Sequence, residues 1–227
     1  GGATREVSLP GFSPMSWDFI VPRLLARTDL RQTYKLPDDE KALRQLLRDL
    51  GLIKARSKPG NNAGSNTTAN TASKSEGSVE EETDAPTGYY DIFRGRLTFG
   101  ITRSDGAIIG LGGRLIEKRD DSPKYINSQE SAIYHKRKSF FGVSQALAEM
   151  RRTGTVTLVE GYMDVLSMVQ RGYVNTIATC GTALTDEHVA ILKKLVTRAT
   201  VMFDGDIAGR RAGARCFEVF LNSGVDV

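Results

Sequence analysis

Cysteine, histidine and tryptophan are scarce in this chain, whose 227 residues contain two Cys, two His and one Trp. So few cysteines exclude a disulfide framework and any zinc site built from cysteine pairs, and we expect Cys180 and Cys216 to be small buried hydrophobes. No stretch approaches the roughly 20 apolar residues of a membrane span, and the N-terminus lacks the apolar core of a signal peptide. We therefore expect a cytoplasmic protein without a membrane partner. The absence of an initial Met indicates a processed or excised piece.

Two phosphate-binding motifs are also missing. No GxxxxGK[ST] loop occurs, and the glycines at 110, 112 and 113 are not a dinucleotide fingerprint, because Leu115 takes the third glycine position. Glycines inside an extended run indicate a bulge or a close approach by a ligand backbone.

Charge is distributed unevenly around a formal net value of +4. Residues 89–152 carry 12 basic and 7 acidic side chains, whereas residues 153–227 carry 7 and 8. A basic surface beside an acidic pocket suits a polyanion together with a metal ion. Scattered solvated charges would give the same totals, so charge alone leaves both interpretations open.

Composition divides the chain into four segments. Residues 57–88 are rich in Ser, Thr, Asn, Gly and acidic residues, contain no aromatic residue, and cannot bury enough apolar surface to offset chain entropy. We interpret them as a low-complexity linker or insertion. They follow an α+β N-terminal part, residues 1–56. They precede a basic β-rich segment, residues 89–152, and an α/β segment, residues 153–227.

Periodicity predicts the elements of these segments. Leucines at three- and four-residue spacing after Asp38 predict an amphipathic helix that Gly51 ends, and residues 16–20 indicate another helix start, which Pro22 must bend or interrupt. Runs at 97–103 and 107–116 flank Asp105-Gly106 and predict a β-hairpin. After residue 154, apolar strands alternate with helices, which is typical of a parallel sheet. The strands are expected at 155–159, 176–179 and 200–203, and the helices at 162–170, 186–196 and 208–221.

Acidic residues follow two of these strands. Glu160 and Asp164 lie across the turn after the first strand, and Asp204 and Asp206 follow the third. Because parallel sheets bind ligands at the carboxyl ends of their strands, the four carboxylates are candidates for one site. Clustered carboxylates need a cation, and oxygen ligands favour Mg²⁺ or Mn²⁺ over zinc. For either pair alone, helix capping is the simpler explanation.

The two segments that contain these acidic residues resemble motifs of a known family. Glu160–Asp164 (EGYMD) and Asp204–Arg210 (DGDIAGR) resemble the two acidic signatures of the Toprim fold in bacterial DNA primases of the DnaG type. The resemblance extends upstream to the basic motifs of the primase RNA polymerase domain. These are 93–99 (FRGRLTF), 112–114 (GGR), 123–128 (PKYINS) and 134–136 (YHK), with a weaker likeness at 11–18 (GFSPMSWD).

The resemblance implies a fold and a reaction. The expected fold is a Toprim parallel sheet with flanking helices, preceded by a basic mixed α/β subdomain. The expected activity is nucleotidyl transfer during DNA replication. The enzyme would be a DNA-directed RNA polymerase that joins ribonucleoside triphosphates into a short RNA primer on single-stranded DNA. Mg²⁺ or Mn²⁺ would be the cofactor, and the replicative helicase a partner through a domain with no counterpart here. A zinc-binding template domain also has no counterpart.

The resemblance also assigns site residues. It implies Asp204 and Asp206 as the first metal ligands, Glu160 as a ligand or proton acceptor, and Asp164 in support. Other residues would face the nucleotide or the template. The nucleotide-facing residues would be Arg114, Lys124, Asn127 and Lys136, and the template-facing residues Arg94 and Arg96.

Several interpretations remain open beside this one. A Toprim nuclease or topoisomerase-like fragment would cleave DNA instead of joining nucleotides. The chain could also be a nucleic-acid or partner-binding module, or a phosphoacceptor domain that uses Asp204. The family has a further acidic pair on a later strand, which is expected to start near 224–227, so an incomplete metal site and an inactive chain are among the expectations. His135 is expected on a basic surface, His188 at the surface or as a helix cap, and Tyr162 in the core.

Overall fold

The computed structural model describes residues 10–56, 88–120, 122–221 and 223–227. The predicted linker, residues 57–88, lies outside this part of the chain except for Gly88. The strands are β1 (Gly11–Ser13), β2 (Ile53–Ala55), β3 (Tyr89–Asp91), β4 (Arg96–Thr102), β5 (Ile108–Leu115), β6 (Tyr125–Asn127), β7 (Phe140–Phe141), β8 (Thr155–Val159), β9 (Thr176–Thr179) and β10 (Arg198–Met202). The helices are α1 (Ile20–Leu25), α2 (Thr28–Tyr34), α3 (Glu40–Asp49), α4 (Val143–Thr153), α5 (Tyr162–Gln170), α6 (Asp186–Leu192) and α7 (Ile207–Phe220), and Lys136–Lys138 form a 3₁₀ turn.

The N-terminal helices pack around a small core. The leucine pattern correctly predicts α3, in which Leu43 and Leu47 are buried and Asp39 caps the first turn by accepting from the Ala42 N–H at 2.8 Å. The prediction that Pro22 bends or interrupts the helix is wrong. Because α1 starts at Ile20, Pro22 lies in the first turn, where its missing N–H costs no hydrogen bond.

An antiparallel sheet of order β1-β4-β5-β6 forms the basic part. The predicted hairpin is confirmed as β4 and β5, with a register shift between Ile101 and Thr102. The register shift beside Gly110 agrees with the bulge that these glycines predicted as one alternative, and Gly112 and Gly113 make room for rings of the protein itself. A Cβ at Gly112 would lie 2.6 Å from the Tyr162 ring, and one at Gly113 would lie 2.8 Å from the Phe93 ring.

The predicted parallel sheet is confirmed. Its order is β10-β8-β9-β7, with β8, β9 and β10 parallel and β7 antiparallel at one edge. The helix expected over 186–196 ends at Leu192, because the Lys194 and Leu195 N–H groups bond three residues back and tighten the last turn. Beside β10, Asp226 forms an isolated parallel bridge with Arg198.

One core cluster joins the two sheets. Phe99 and Ile101 of β4 pack there with Val159, Ala178 and the buried ring of Tyr162. Burial of a large apolar side chain contributes about 1.5–3 kcal/mol, so this contact fixes the basic sheet against the acidic edge of the other. The predicted packing of Tyr162 is confirmed, as is the burial of both cysteines. Within the described ranges, no helix has the length and apolarity to cross a membrane.

Candidate active site

Glu160 and Asp204 meet at the carboxyl ends of neighbouring strands. Glu160 directly follows β8, and Asp204 lies two residues beyond β10, its parallel neighbour. Glu160 Oε1 accepts a hydrogen bond from the Asp204 backbone N–H at 2.8 Å. Helix α7 approaches the same point, since a Cβ at Gly209 would lie 2.1 Å from the Asp204 carbonyl oxygen and 2.7 Å from Glu160 Oε1. Both carboxylates are exposed.

The other two acids cap helices. Asp164 Oδ2 accepts from the Gly161 N–H at 3.0 Å, at the start of α5. Asp206 is the N-cap of α7, and its Oδ1 accepts from the Gly209 N–H at 2.7 Å. Each carboxylate therefore accepts from a backbone N–H that the helix leaves unpaired. Its negative charge also interacts favourably with the positive N-terminal end of the helix dipole.

The predicted four-carboxylate cluster does not form. In the part of the chain that the structure describes, no three Asp, Glu, His or Cys side chains are close enough to share a metal ion. The reason is that Asp164 and Asp206 turn toward the N–H groups of their own helices. The exposed oxygens of Glu160 and Asp204 still suit a hydrated Mg²⁺ ion, which keeps several waters and is usually held by one or two carboxylates.

A cationic cavity of about 430 Å³ adjoins β5 and the segment before β6. Arg114 and Lys124, both predicted to face nucleotide, line it together with Lys118 and Arg119, and its lining includes no acidic residue from the described ranges. The Arg114 Cζ and Lys124 Nζ atoms lie 5.9 Å and 5.8 Å from the centre of the Tyr125 ring. Lys118 and Arg119 were missed, although two consecutive cations just after a strand could have indicated them.

Arg96 does not face the template, which corrects its predicted role. The side chain is only 4% exposed, and its guanidinium donates to the carbonyl oxygens of Pro123 at 2.9 Å and Lys124 at 3.3 Å. Burial lowers its pKa, with further lowering from the positive charge of Arg119. Arg96 therefore fixes the backbone that carries Lys124.

Arg94 lies in an aromatic and basic cluster at the surface. Its guanidinium lies 3.8 Å from the centre of the Trp17 ring and 5.0 Å from that of Tyr90, and it donates to the Asp91 carbonyl oxygen at 2.6 Å. Trp17 is 53% exposed. Sequence reasoning missed Trp17 as a neighbour of Arg94, because 77 residues separate the two along the chain.

Asn127 connects the two sheets through its side-chain amide, and its predicted contact with a nucleotide stays a prediction. Its Oδ1 accepts from the Tyr162 hydroxyl, and its Nδ2 donates to the Cys180 carbonyl oxygen at 2.9 Å. Burial raises the pKa of Tyr162, so its hydroxyl remains a donor. Gly181 has a φ of +71°, which favours glycine, and a Cβ there would lie 2.6 Å from Asn127 Nδ2.

Lys136 belongs to the 3₁₀ turn and is half-buried. Its backbone N–H donates to Glu130 Oε1 at 2.9 Å. His135 is exposed as predicted and pairs with Glu130 at 3.2 Å. His188 is fully buried, which contradicts a surface position, but it completes a capping box with Thr185, which confirms its predicted capping role.

A parallel sheet with acids at its carboxyl edge, packed on a basic antiparallel sheet, defines the class of a Toprim catalytic core. Residues 39–147 match the family model for the DNA primase catalytic core, N-terminal domain, and residues 157–227 match the Toprim-like model. The chain belongs to the bacterial DNA primases of the DnaG type and contains part of their catalytic core.

Relatives and solved structures agree with this family. The chain is 45% identical over 122 residues to a DNA primase of Listeria monocytogenes, covering 54% of this chain and 19% of the relative. A crystal structure of a DNA primase domain from Pseudomonas aeruginosa is 33% identical with a TM-score of 0.68, over 93% of this chain and 53% of that one. A DnaG primase catalytic domain bound to single-stranded DNA is 28% identical with a TM-score of 0.67, again over 93% and 53%. The chain spans about a quarter or less of the curated relatives it matches.

Proposed function

We propose that the chain performs nucleotidyl transfer in a primase, joining ribonucleotides into a short RNA primer on single-stranded DNA. In this reaction the 3′ hydroxyl of one nucleotide attacks the α-phosphate of the next triphosphate, and pyrophosphate leaves. The family assignment supports this reaction, as does the solved relative that binds single-stranded DNA. The replicative helicase remains a predicted partner of other segments of such proteins.

The observation that carries the proposal is the joining of an acidic strand edge to a cationic cavity. Glu160 and Asp204 are linked by the 2.8 Å hydrogen bond between them. Tyr162 comes two residues after Glu160, and its ring centre lies 6.4 Å from the ring centre of Tyr125. The Tyr125 ring centre in turn lies 5.9 Å from Arg114 Cζ. The cavity and the acids are thus connected through the Tyr125 and Tyr162 rings, and the proposal places the reacting end of a triphosphate on this side of the cavity. Chemistry of this kind relies on positioning and electrostatics.

Toprim and primase families use divalent metal, and we assign Glu160 and Asp204 here as the ligands of Mg²⁺ or Mn²⁺, with Asp206 as a third ligand once its side chain leaves the cap of α7. The ion would activate the hydroxyl and neutralise the developing phosphate charge. Glu160 is oriented by the Asp204 N–H, so its second oxygen is free for an ion or a proton. Asp164 acts through the cap that fixes the Gly161 turn.

The cations are assigned by their positions. Arg114 and Lys124 bind the triphosphate, and Lys118 adds charge at the same cavity. Lys136 lies outside this lining and is assigned to the triphosphate by its motif, residues 134–136. Arg94, stacked on Trp17, contacts the template. Because phosphate contacts release counterions, the logarithm of the binding constant for single-stranded DNA should fall linearly with the logarithm of the salt concentration.

The test compares Asp204→Asn with Glu218→Gln, an exposed acid on the far half of α7, as the control. Mn²⁺ binding to the chain is measured by titration calorimetry, and primer synthesis is measured in the complete gene product with template, Mg²⁺ and ribonucleotides. We expect Asp204→Asn to lose both, and the control to keep both. Equal Mn²⁺ binding by the two variants would refute the metal assignment. Nicked template without RNA product would instead support a Toprim nuclease.

A further inference from the structure

A hydrogen-bond network joins the basic 3₁₀ turn to the start of α6. The turn comprises Lys136–Lys138, and Thr185 and His188 of the helix cap face it. Thr185 Oγ1 donates to the Arg137 carbonyl oxygen at 2.9 Å, and His188 Nε2 lies 3.2 Å from the Ser139 carbonyl oxygen. Both bonds reach the turn from a residue about 50 positions further along the chain.

The chemistry of the partners fixes where the protons lie. A carbonyl oxygen only accepts, so His188 Nε2 carries a proton and donates to Ser139. Nδ1 is then unprotonated and accepts from the Thr185 backbone N–H at 3.2 Å. The Thr185 hydroxyl accepts from the His188 backbone N–H at 3.3 Å. Its own proton has two acceptors within reach, the Arg137 carbonyl oxygen at 2.9 Å and His188 Nδ1 at 3.0 Å. Every polar atom of both side chains therefore has a partner.

The histidine end of this network is enclosed by the protein. His188 has no exposed surface and its ring centre lies 4.7 Å from that of Phe140. Burial lowers its pKa, so the imidazole is neutral and acts as one donor and one acceptor at a fixed separation. At the surface, the Arg137 guanidinium pairs with Glu187 at 3.2 Å on the same two elements.

We propose that His188 is a positioning residue that holds the basic turn so that Lys136 faces the triphosphate. The two carbonyl groups that Thr185 and His188 fix lie one and three residues after Lys136, and Glu130 holds the Lys136 N–H from the other side. The backbone of the turn is thus restrained at both ends, which limits the directions open to the lysine side chain. The inference rests on the proposed function only for the role of Lys136.

Two conservative variants separate the two halves of the imidazole. In His188→Gln the amide nitrogen can replace Nε2 and keep the bond to Ser139, whereas in His188→Asn the amide oxygen can replace only Nδ1. Loss of a buried hydrogen bond shifts an equilibrium by about five- to tenfold. We therefore expect the Kd of a fluorescent ribonucleoside triphosphate to rise about five- to tenfold in His188→Asn and to stay near wild type in His188→Gln, with unchanged single-stranded DNA binding in both.

Hydrogen exchange gives an independent readout, because the Lys138 N–H bonds to the His135 carbonyl oxygen inside the turn. We expect this amide to exchange faster in His188→Asn, and faster also in Thr185→Val, which removes the hydroxyl bond to Arg137 together with the cap bond from the His188 N–H. Thr185→Val carries the test if the histidine variants do not fold. Slow exchange in both kinds of variant would overturn the positioning role.

Lys136→Ala separates this inference from the proposed function. If it weakens triphosphate binding while a folded His188→Asn binds as tightly as wild type, the positioning role is refuted and the proposed function stands. If Lys136→Ala has no effect, the nucleotide role of Lys136 fails, and hydrogen exchange alone decides whether His188 holds the turn.

Discussion

Replacement of Gly209 by Ala would test how closely α7 approaches the acidic edge. The new Cβ would lie 2.1 Å from the Asp204 carbonyl oxygen and 2.7 Å from Glu160 Oε1. Ordinary contacts of this kind are about 3.4 Å or longer, so the helix start or the strand end must move by about 1 Å. Overpacking of this kind costs about 1–3 kcal/mol. The same movement would disturb the bond from Gly209 N–H to Asp206 and that from Asp204 N–H to Glu160.

Gly213, one turn further along α7, provides the matched control. Its Cβ would meet no atom within 4 Å. Replacing a glycine inside a helix by alanine stabilises by roughly 0.5–1 kcal/mol. The two variants make the same chemical change on the same helix, so they should move stability in opposite directions.

Thermal unfolding of the chain followed by circular dichroism measures both effects. For a chain of this size, 1 kcal/mol corresponds to a change of about 2–4 °C in Tm. We expect Gly209→Ala to lower the Tm and to weaken Mn²⁺ binding, and Gly213→Ala to raise the Tm slightly without affecting the metal. Stabilisation of similar size by both variants would mean that α7 does not touch the Asp204 carbonyl, and the geometry of the acidic edge would be refuted.

Three further predictions concern side chains that connect elements. Burial lowers the pKa of His188 from 6.5, so below pH 6.5 the unfolded chain binds a proton at this residue that the folded chain does not. The free energy of unfolding is therefore highest above pH 6.5 and falls by up to about 1.4 kcal/mol per pH unit as the pH is lowered toward the pKa of the folded state. Urea unfolding between pH 7.5 and 5 should show this slope, and His188→Leu should remove it. Tyr162→Phe should cost about 1 kcal/mol in the same assay, since it leaves Asn127 Oδ1 without its donor, and an unchanged midpoint would contradict the bond. Arg96→Lys keeps the charge but loses the paired bonds to the Lys124 segment, so triphosphate affinity should fall. The salt slope of DNA binding should stay constant, and a changed slope would mean that Arg96 does contact the template.

Local pattern was sufficient for most of the elements. The strand at Thr155–Val159, the helix at Tyr162–Gln170 and the strand at Thr176–Thr179 have the bounds that periodicity predicts. Each is an apolar run or an amphipathic stretch set off by glycine or polar residues, so its ends depend on nearby residues only. The helix over 186–196 was predicted too long, because the tighter turn after Leu192 leaves no mark in the apolar spacing.

The site was less predictable, since ligation and capping require the same residues in the same places. An acid just after a strand and before a helix can bind an ion or accept from the helix N–H groups, and the sequence around Asp206 fits both. Arg96 and Asn127 depend on distant partners. The first reaches carbonyl groups 27 and 28 residues away, and the second reaches Cys180. No spacing rule contains such contacts, because the path of the chain between them decides whether they form.

Capping and metal binding are therefore in competition at Asp206. Glu160 and Asp204 already stand together, whereas Asp206 Oδ1 is held by the Gly209 N–H at 2.7 Å. To join the other two at one ion, the Asp206 side chain must leave its cap, and a lost N-cap costs about 1 kcal/mol, or roughly a fivefold loss of affinity. Phosphate oxygens and waters can complete the coordination of Mg²⁺ without that cost. An ion bound before nucleotide should thus rely on Glu160 and Asp204, and the contribution of Asp206 should increase when a triphosphate raises the demand for ligands.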